Sequence, residues 1–278
     1  MPDNAKDPYA AFSVRQQTAV VTGGSGYLGR AMALGLARAG ARVAILGRRV
    51  EAAREVADAI AAEGGAALAI GCDVLDPVVL AAAREQVTRA YGPADILVNA
   101  AGGNAPAATT SPDHSFFDLD PAAASQVFAL NFTGTLLPCQ VFGRDMAARG
   151  QGRIVNIASM TALRPLTRVV AYSAAKAAVV NFTQWLAVHM AREYSPHIRV
   201  NALAPGFFLT EQNRYLLLAG DGTLTPRGQA IIGHTPAGRL GTPDDLVGTL
   251  LWLVSPASAF VTGVVVPVDG GFADFSGI

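Results

Sequence analysis

The chain has 278 residues, 51% of them hydrophobic, and 21 basic residues balance 21 acidic ones. That length fits one large α/β domain or two small ones, and the balanced charge speaks against a broad nucleic-acid-binding face, which carries a basic excess. Two cysteines, Cys72 and Cys139, make neither a zinc pattern nor a disulfide framework, and no apolar run reaches the roughly 18 residues of a membrane span. The polar stretch 1–10 does not resemble a secretory signal, so a soluble cytoplasmic protein without membrane or nucleic-acid partners is expected.

Residues 1–12 read as a loose tail, and 13–278 as one domain, because no Pro/Gly/Ser linker divides them. Thr18–Thr22 reads as a strand, 28–39 as a helix closed by Gly40, and 42–46 as a strand. A helix over 50–63 ends at Gly64-Gly65. Strand 67–70, helix 77–91 and strand 95–99 follow. Residues 122–149 read as one long helix, then come strand 153–158, helix 172–193 and strand 197–203. Helix 243–253 and strand 263–268 close the chain. Short apolar strands alternating with helices predict a parallel sheet buried on both faces, wound by right-handed crossovers.

The first strand runs into Thr22-Gly23-Gly24-Ser25-Gly26-Tyr27-Leu28-Gly29. A glycine-rich turn between strand and helix brings backbone N–H groups to a pyrophosphate, and the helix N-terminus favours the negative charge. Asp73-Val74 and Asn99-Ala100-Ala101-Gly102 close two further strands, at the carboxyl ends where open α/β sheets bind ligands.

Tyr172 and Lys176 stand four apart at the start of a helix, on one face. A free tyrosine titrates near pH 10, and an adjacent ammonium favours the phenolate, so the pair suits proton transfer with a hydroxyl or carbonyl. Lys176 is one of only two lysines in a chain with 19 arginines. A compact ammonium fills roles that a planar guanidinium cannot.

Ser159 lies 13 residues before Tyr172, and Asn131 lies within the long preceding helix. Thr22–Gly29, Asn99–Gly102, Asn131, Ser159, Tyr172-x-x-x-Lys176 and Pro205-Gly206-x-x-x-Thr210 resemble the short-chain dehydrogenase/reductase superfamily in order and spacing over roughly residues 15–275. The resemblance implies a Rossmann-like, doubly wound, seven-stranded parallel sheet of order 3-2-1-4-5-6-7 with helices on both faces. It also implies a nicotinamide cofactor and a homotetramer or dimer. Tyr172 would be the general acid/base, and Ser159 would polarise the substrate oxygen. Lys176 would bind the nicotinamide ribose and lower the tyrosine pKa, and Asn131 would hold a relay water. Cofactor contacts would fall on Gly23, Ser25, Tyr27, Leu28, Arg48, Arg49, Asp73, Val74, Asn99, Ala100, Gly102, Tyr172, Lys176, Pro205, Gly206, Phe208 and Thr210. One departure stands out. Many members read TGxxxGxG, and here Tyr27 takes the sixth position while the glycine sits at Gly26.

Ala101-Gly102-Gly103-Asn104, Phe116-Phe117-Asp118-Leu119-Asp120, Arg164-Pro165-Leu166-Thr167, Asn181-Phe182-Thr183-Gln184-Trp185-Leu186, the run PGFFLTEQNR at 205–214 and the tail 264–275 are similar to the D-mannonate oxidoreductase (fructuronate reductase) branch. That likeness implies NAD. The residues after the second strand point the other way. Gly47-Arg48-Arg49 carries no acid until Glu51, and a guanidinium suits the 2′-phosphate, so NADP(H) is expected over NAD(H).

Three loops leave the carboxyl ends of strands and carry Asn104, Thr109 and Ser111; Thr161, Arg164 and Arg168; and Gln212, Asn213 and Arg214. Hydroxyls, amides and guanidinium groups suit a polyhydroxylated acid. Asn104, Thr161, Arg164 and Arg214 are the substrate candidates, with Arg164 first for the carboxylate. Phe207, Phe208 and 216–218 would instead suit an apolar ketone. A non-catalytic cofactor-binding sensor would lack part of the Ser/Tyr/Lys set, which is complete here. The four histidines show no metal-site spacing, and His234 is a candidate lid residue. Cys72 reads as a small core residue and Arg239 as an ion-pair partner.

Overall fold

The computed structural model describes residues 9–210 and 214–277. Strands β1 (Thr18–Thr22), β2 (Arg42–Gly47), β3 (Ala66–Gly71), β4 (Ile96–Asn99), β5 (Gly152–Ile157), β6 (Ile198–Pro205) and β7 (Val265–Val268) form one parallel sheet of order β3-β2-β1-β4-β5-β6-β7. Val20 sits between Ala44 on one side and Leu97 on the other, which fixes the central register. Every residue of β1 and β6 is buried, as continuous apolar runs in a two-sided sheet require.

The helices are α1 (Tyr27–Arg38), α2 (Val50–Ala62), α3 (Pro77–Tyr91), α4 (Pro121–Phe128), α5 (Gly134–Arg149), α6 (Val170–Glu193), α7 (Arg214–Leu217), α8 (Pro226–Gly233) and α9 (Val247–Val254). Alternation along the strands divides the core into two layers. Ala19, Val21, Val43 and Ile45 meet Met32 and Leu36 of α1, Val56 and Ile60 of α2, and Leu250 and Leu253 of α9. Val20, Ala44, Leu46 and Leu97 face Leu80 and Val87 of α3, Phe142 and Met146 of α5, and Leu186 and Met190 of α6. Asp76 and Asp120 cap α3 and α4 by accepting from the first free backbone N–H groups, each followed by a proline at the first helical position.

The strand order reverses between β1 and β4, so the connections leave in opposite directions and open a crevice at their carboxyl ends. Four expectations need correcting. The helix over 122–149 is interrupted by a π-helical turn at Ala129–Thr133, and Pro138 sits inside α5. One inserted residue leaves the apolar pattern almost unchanged, which hides such a turn from periodicity. The helix over 243–253 is a 3₁₀ turn at Pro243–Leu246 followed by α9. Helix α8, with its Thr225 cap, was not expected. Within the expected tail the described part holds a single 3₁₀ turn at Ala10–Phe12, and residues 1–8 lie outside the described residues.

Candidate active site

The glycine turn after β1 is shaped by close approach. Gly23 has φ +62°, and a Cβ there would stand 2.7 Å from the Ala101 backbone. A Cβ on Gly29 would stand 2.2 Å from the Gly23 carbonyl oxygen, so helix α1 starts almost in contact with the turn. The Ala101 N–H donates to the Thr22 hydroxyl at 3.3 Å, and the Ala100 N–H donates to the Thr22 carbonyl at 3.1 Å. Sequence reasoning missed Thr22 as this tie. Gly26 caps α1 in an ordinary extended conformation, and Tyr27 is the exposed first residue of the helix. Moving the glycine from 27 to 26 therefore keeps the turn, because the left-handed backbone belongs to Gly23. Leu28 packs into the core beneath.

At the end of β2, a Cβ on Gly47 would stand 2.8 Å from the Ser25 hydroxyl oxygen, so Ser25 lies next to exposed Arg48 and Arg49. Neither arginine has an ion-pair partner among the described residues. Asp73 accepts from the Leu75 N–H at 3.0 Å, and Val74 is buried against Gly134. Asn99 ends β4. Its Nδ2 donates to Asn156 Oδ1 at 2.8 Å and to Cys139 Sγ at 3.1 Å, so its side chain belongs to the core. Asn156 donates in turn to Thr183 Oγ1 at 2.9 Å, which ties β4 and β5 to α6.

Asn131 lies in the π-helical turn, fully buried, with Nδ2 donating to the carbonyls of Gly103 at 2.7 Å and Val127 at 2.8 Å. A Cβ on Gly102 would meet Asn131 Oδ1 at 2.7 Å and Lys176 Nζ at 3.3 Å. Gly102, Asn131 and Lys176 thus enclose one small space. Lys176 is buried, and its Nζ donates to the Ile157 carbonyl at 2.7 Å and lies 5.6 Å from the Tyr172 ring centroid. Burial pushes the Lys176 ammonium down to about 8. Burial also holds the Tyr172 phenol above its ordinary range, and a hydrogen bond from Ser159 acts against it. The sequence predicted a tyrosine lowered by lysine. Instead Lys176 spends a donor on a carbonyl, and desolvation dominates the phenol.

Ser159 is buried, and its hydroxyl accepts from the Thr161 N–H at 3.2 Å. Thr161 Oγ1 and Ser173 Oγ, on either side of this centre, are buried with no hydrogen-bond partner. Asn104 is committed within its own loop to Thr109 at 3.0 Å. Arg164 Nε donates to the Ala273 carbonyl at 2.8 Å, pinning the C-terminal segment over the loop after β5. Arg214 opens α7 and is exposed; Gln212 and Asn213 lie outside the described residues. At the end of β6, Pro205 leads to Gly206, where a Cβ would strike Asp269. Phe208 is buried against Gly241, and Thr210 follows it, half-buried. His234 packs its ring on Phe272 at 4.8 Å and Phe275 at 5.0 Å. A cavity of about 340 Å³ behind the Pro205-Gly206 turn is lined by none of Ser159, Tyr172 and Lys176; Arg239 there pairs with Asp245 at 2.7 Å, as expected. Cys72 is buried and pushed up to about 11, in keeping with a core residue.

Residues 17–218 match the family model for short chain dehydrogenase. The chain belongs to the short-chain dehydrogenase/reductase family. An oxidoreductase of Bacillus subtilis (strain 168) called UxuB, itself uncharacterised, is 50% identical over 94% of this chain and 96% of its own. A crystal structure of a protein from Haemophilus influenza, provisionally assigned as a D-mannonate oxidoreductase and holding NAD, superposes with a TM-score of 0.91. It is 43% identical over 98% of this chain and 100% of its own. A gluconate 5-dehydrogenase from Burkholderia cenocepacia, in complex with NADP and tartrate, gives a TM-score of 0.85 and is 33% identical over 96% of this chain and 98% of its own. This short-chain dehydrogenase is an oxidoreductase of the NAD(P)-dependent type, and the sheet order expected from the resemblance is the one observed. No helix among the described residues is long and apolar enough to cross a membrane.

Proposed function

We propose that the protein transfers a hydride between a nicotinamide cofactor and a secondary alcohol or ketone of a sugar acid, of the D-mannonate/D-fructuronate type. The observation that carries this reading is the convergence of Ser159, Tyr172 and Lys176 beneath loops rich in hydroxyls and guanidinium groups. Thr161 Oγ1, a buried hydroxyl without a protein partner, supports a polar ligand there. So do the relatives named for D-mannonate and gluconate.

The glycine cradle fits the cofactor: Gly23, Gly26 and Gly29 leave backbone and the start of α1 open to a pyrophosphate. When bound, the nicotinamide supplies or accepts the hydride. Tyr172 is the proposed acid/base at the substrate oxygen, and Ser159 donates a hydrogen bond to that oxygen. Lys176 faces Gly102 and is proposed for the ribose. The neutral phenol suits protonation of a ketone at neutral pH, and alcohol oxidation calls on the phenolate as pH rises.

NADP(H) is proposed over NAD(H), because Arg48 and Arg49 have no ion-pair partner among the described residues and lie beside Ser25. A homotetramer or dimer in the cytoplasm is proposed, with exposed Trp185 and Val188 of α6 as interface residues. One panel tests the reading: kcat/KM for sugar acids, neutral polyols and apolar ketones, each with both cofactors. Sugar acids should lead, and NADP should exceed NAD. Turnover of polyols without any sugar acid refutes the substrate, and a clear NAD preference refutes the cofactor choice.

A further inference from the structure

Asp269 lies outside the expected site residues, yet it stands between two parts of the site that are far apart in the chain. It follows β7 directly. On one side its backbone packs behind the turn after β6. The Gly206 N–H donates to the Val268 carbonyl at 3.0 Å, and a Cβ on Gly206 would stand 2.5 Å from the Asp269 Cβ. On the other side its carboxylate folds the C-terminal segment back. Oδ1 accepts from the Gly271 N–H at 2.9 Å, and Oδ2 accepts from the Ala273 N–H at 2.8 Å. Gly270 and Gly271, with φ +65° and +85°, supply the left-handed backbone for this tight return.

From Ala273 the line of hydrogen bonds runs on to the catalytic serine. Ala273 is buried, and its carbonyl accepts from Arg164 Nε at 2.8 Å. The Arg164 N–H donates to the Met160 carbonyl at 3.0 Å, and the Thr161 N–H donates to the Ser159 hydroxyl at 3.2 Å. Met160 C=O and Thr161 N–H belong to one peptide group, so each bond polarises the next. With the Thr161 N–H on its oxygen, the Ser159 hydroxyl keeps its own proton to donate. We propose that Asp269 is a positioning residue, which fixes the Ser159 hydroxyl relative to the Pro205-Gly206 turn. It acts through Arg164 and the Met160–Thr161 peptide. The proposal rests on the reading above that Ser159 meets the substrate oxygen. A carboxylate suits the task because both its oxygens accept, whereas an amide presents an NH₂ group to one of the two N–H donors.

The test compares kcat, KM, cofactor Kd and Tm for wild type, D269N, R164A, R164K and the double variant D269N/R164A. D269N keeps the Cβ that packs on Gly206, so cofactor Kd should stay near wild type. A misplacement of about 1 Å costs about 100-fold in rate, so kcat should fall at least about tenfold. The loss should sit in kcat with KM little changed, as for an interaction made in the transition state. R164A breaks the same line and should lower kcat alike, whereas R164K keeps a donor for the Ala273 carbonyl and should recover most of it. The double variant should be no slower than the slower single one, because the line is already broken. Where D269N does not fold, the R164A and R164K pair decides: equal kcat in the two overturns the inference. If no sugar acid reacts but another alcohol of the panel does, the substrate reading fails, and the same comparison on that alcohol still tests Asp269. Wild-type kcat in D269N, or kcat losses that multiply in the double variant, make Asp269 a structural tie only and overturn the inference.

Discussion

Lys176 is buried and Tyr172 half-buried beside it, and each is shifted toward its neutral form. Replacing Tyr172 by Phe removes the transferable proton and little volume. Turnover should fall about 10²–10⁴-fold with cofactor affinity retained, and a variant keeping a tenth of the activity would disprove the acid/base role. For Lys176 the consequence is a stability that depends on pH. The unfolded ammonium titrates at 10.5 and the folded one at about 8. Between those values the unfolded chain holds a proton that the folded chain has lost, so raising pH favours folding. Wild-type Tm should therefore rise relative to Lys176→Met as pH climbs from 8 towards 10.5. The opposite slope in paired melting curves would show that Lys176 is not a desolvated ammonium. The proximity of the two side chains was legible in the four-residue spacing. Their protonation was not, because burial and the Ile157 carbonyl are tertiary facts.

Elements were legible where apolar runs are short and bounded by glycine. Thr18–Thr22 and Pro77–Tyr91 have the expected limits, and the other strands differ by one or two residues at an end. The interruption at Ala129–Thr133 was not legible, since its cause is one extra residue per turn near buried Asn131. Nor was the polar line Asn99–Asn156–Thr183, because asparagine in an apolar strand gives no sign of its partner. That line joins β4 and β5 to the helix carrying Tyr172 and Lys176. Asn156→Ala removes two buried hydrogen bonds, leaving the Asn99 amide only the Cys139 sulfur and the Thr183 hydroxyl only its bond to the Val179 carbonyl. Each lost bond costs about 0.5–1.5 kcal/mol, so the urea midpoint should drop with the m-value unchanged. An unchanged midpoint would mean that the line contributes nothing to stability.

Across the whole molecule, the sheet supplies a rigid floor, and four separate segments are joined to one another beside it. The loop after β4 joins the loop after β5 through Thr110 and Arg168, and that loop joins the C-terminal segment through Arg164 and Ala273. The same segment meets the β6 loop and the end of α8 through edge-to-face ring contacts, with Phe272 5.0 Å from Phe207 and 4.8 Å from His234. Sequence order separates these partners by 38 to 109 residues, which is why their junctions carried no signal while the glycine turn did. Phe272 is therefore a joint within the lid formed by the C-terminal segment, the β6 loop and the end of α8. It lies outside both sheet layers of the core. Phe272→Ala removes two aromatic contacts, each about 0.5–1.5 kcal/mol, from the lid and none from those layers. A modest fall in Tm is expected, with cofactor affinity unchanged. Loosening the lid misplaces every substrate contact at once, so KM should rise for sugar acid and polyol by similar factors. That pattern separates a positioning role from charge recognition, which would penalise the acid alone. A rise confined to the acid would show that the C-terminal segment acts on the carboxylate end, and an unchanged KM would show that the lid is held shut without Phe272.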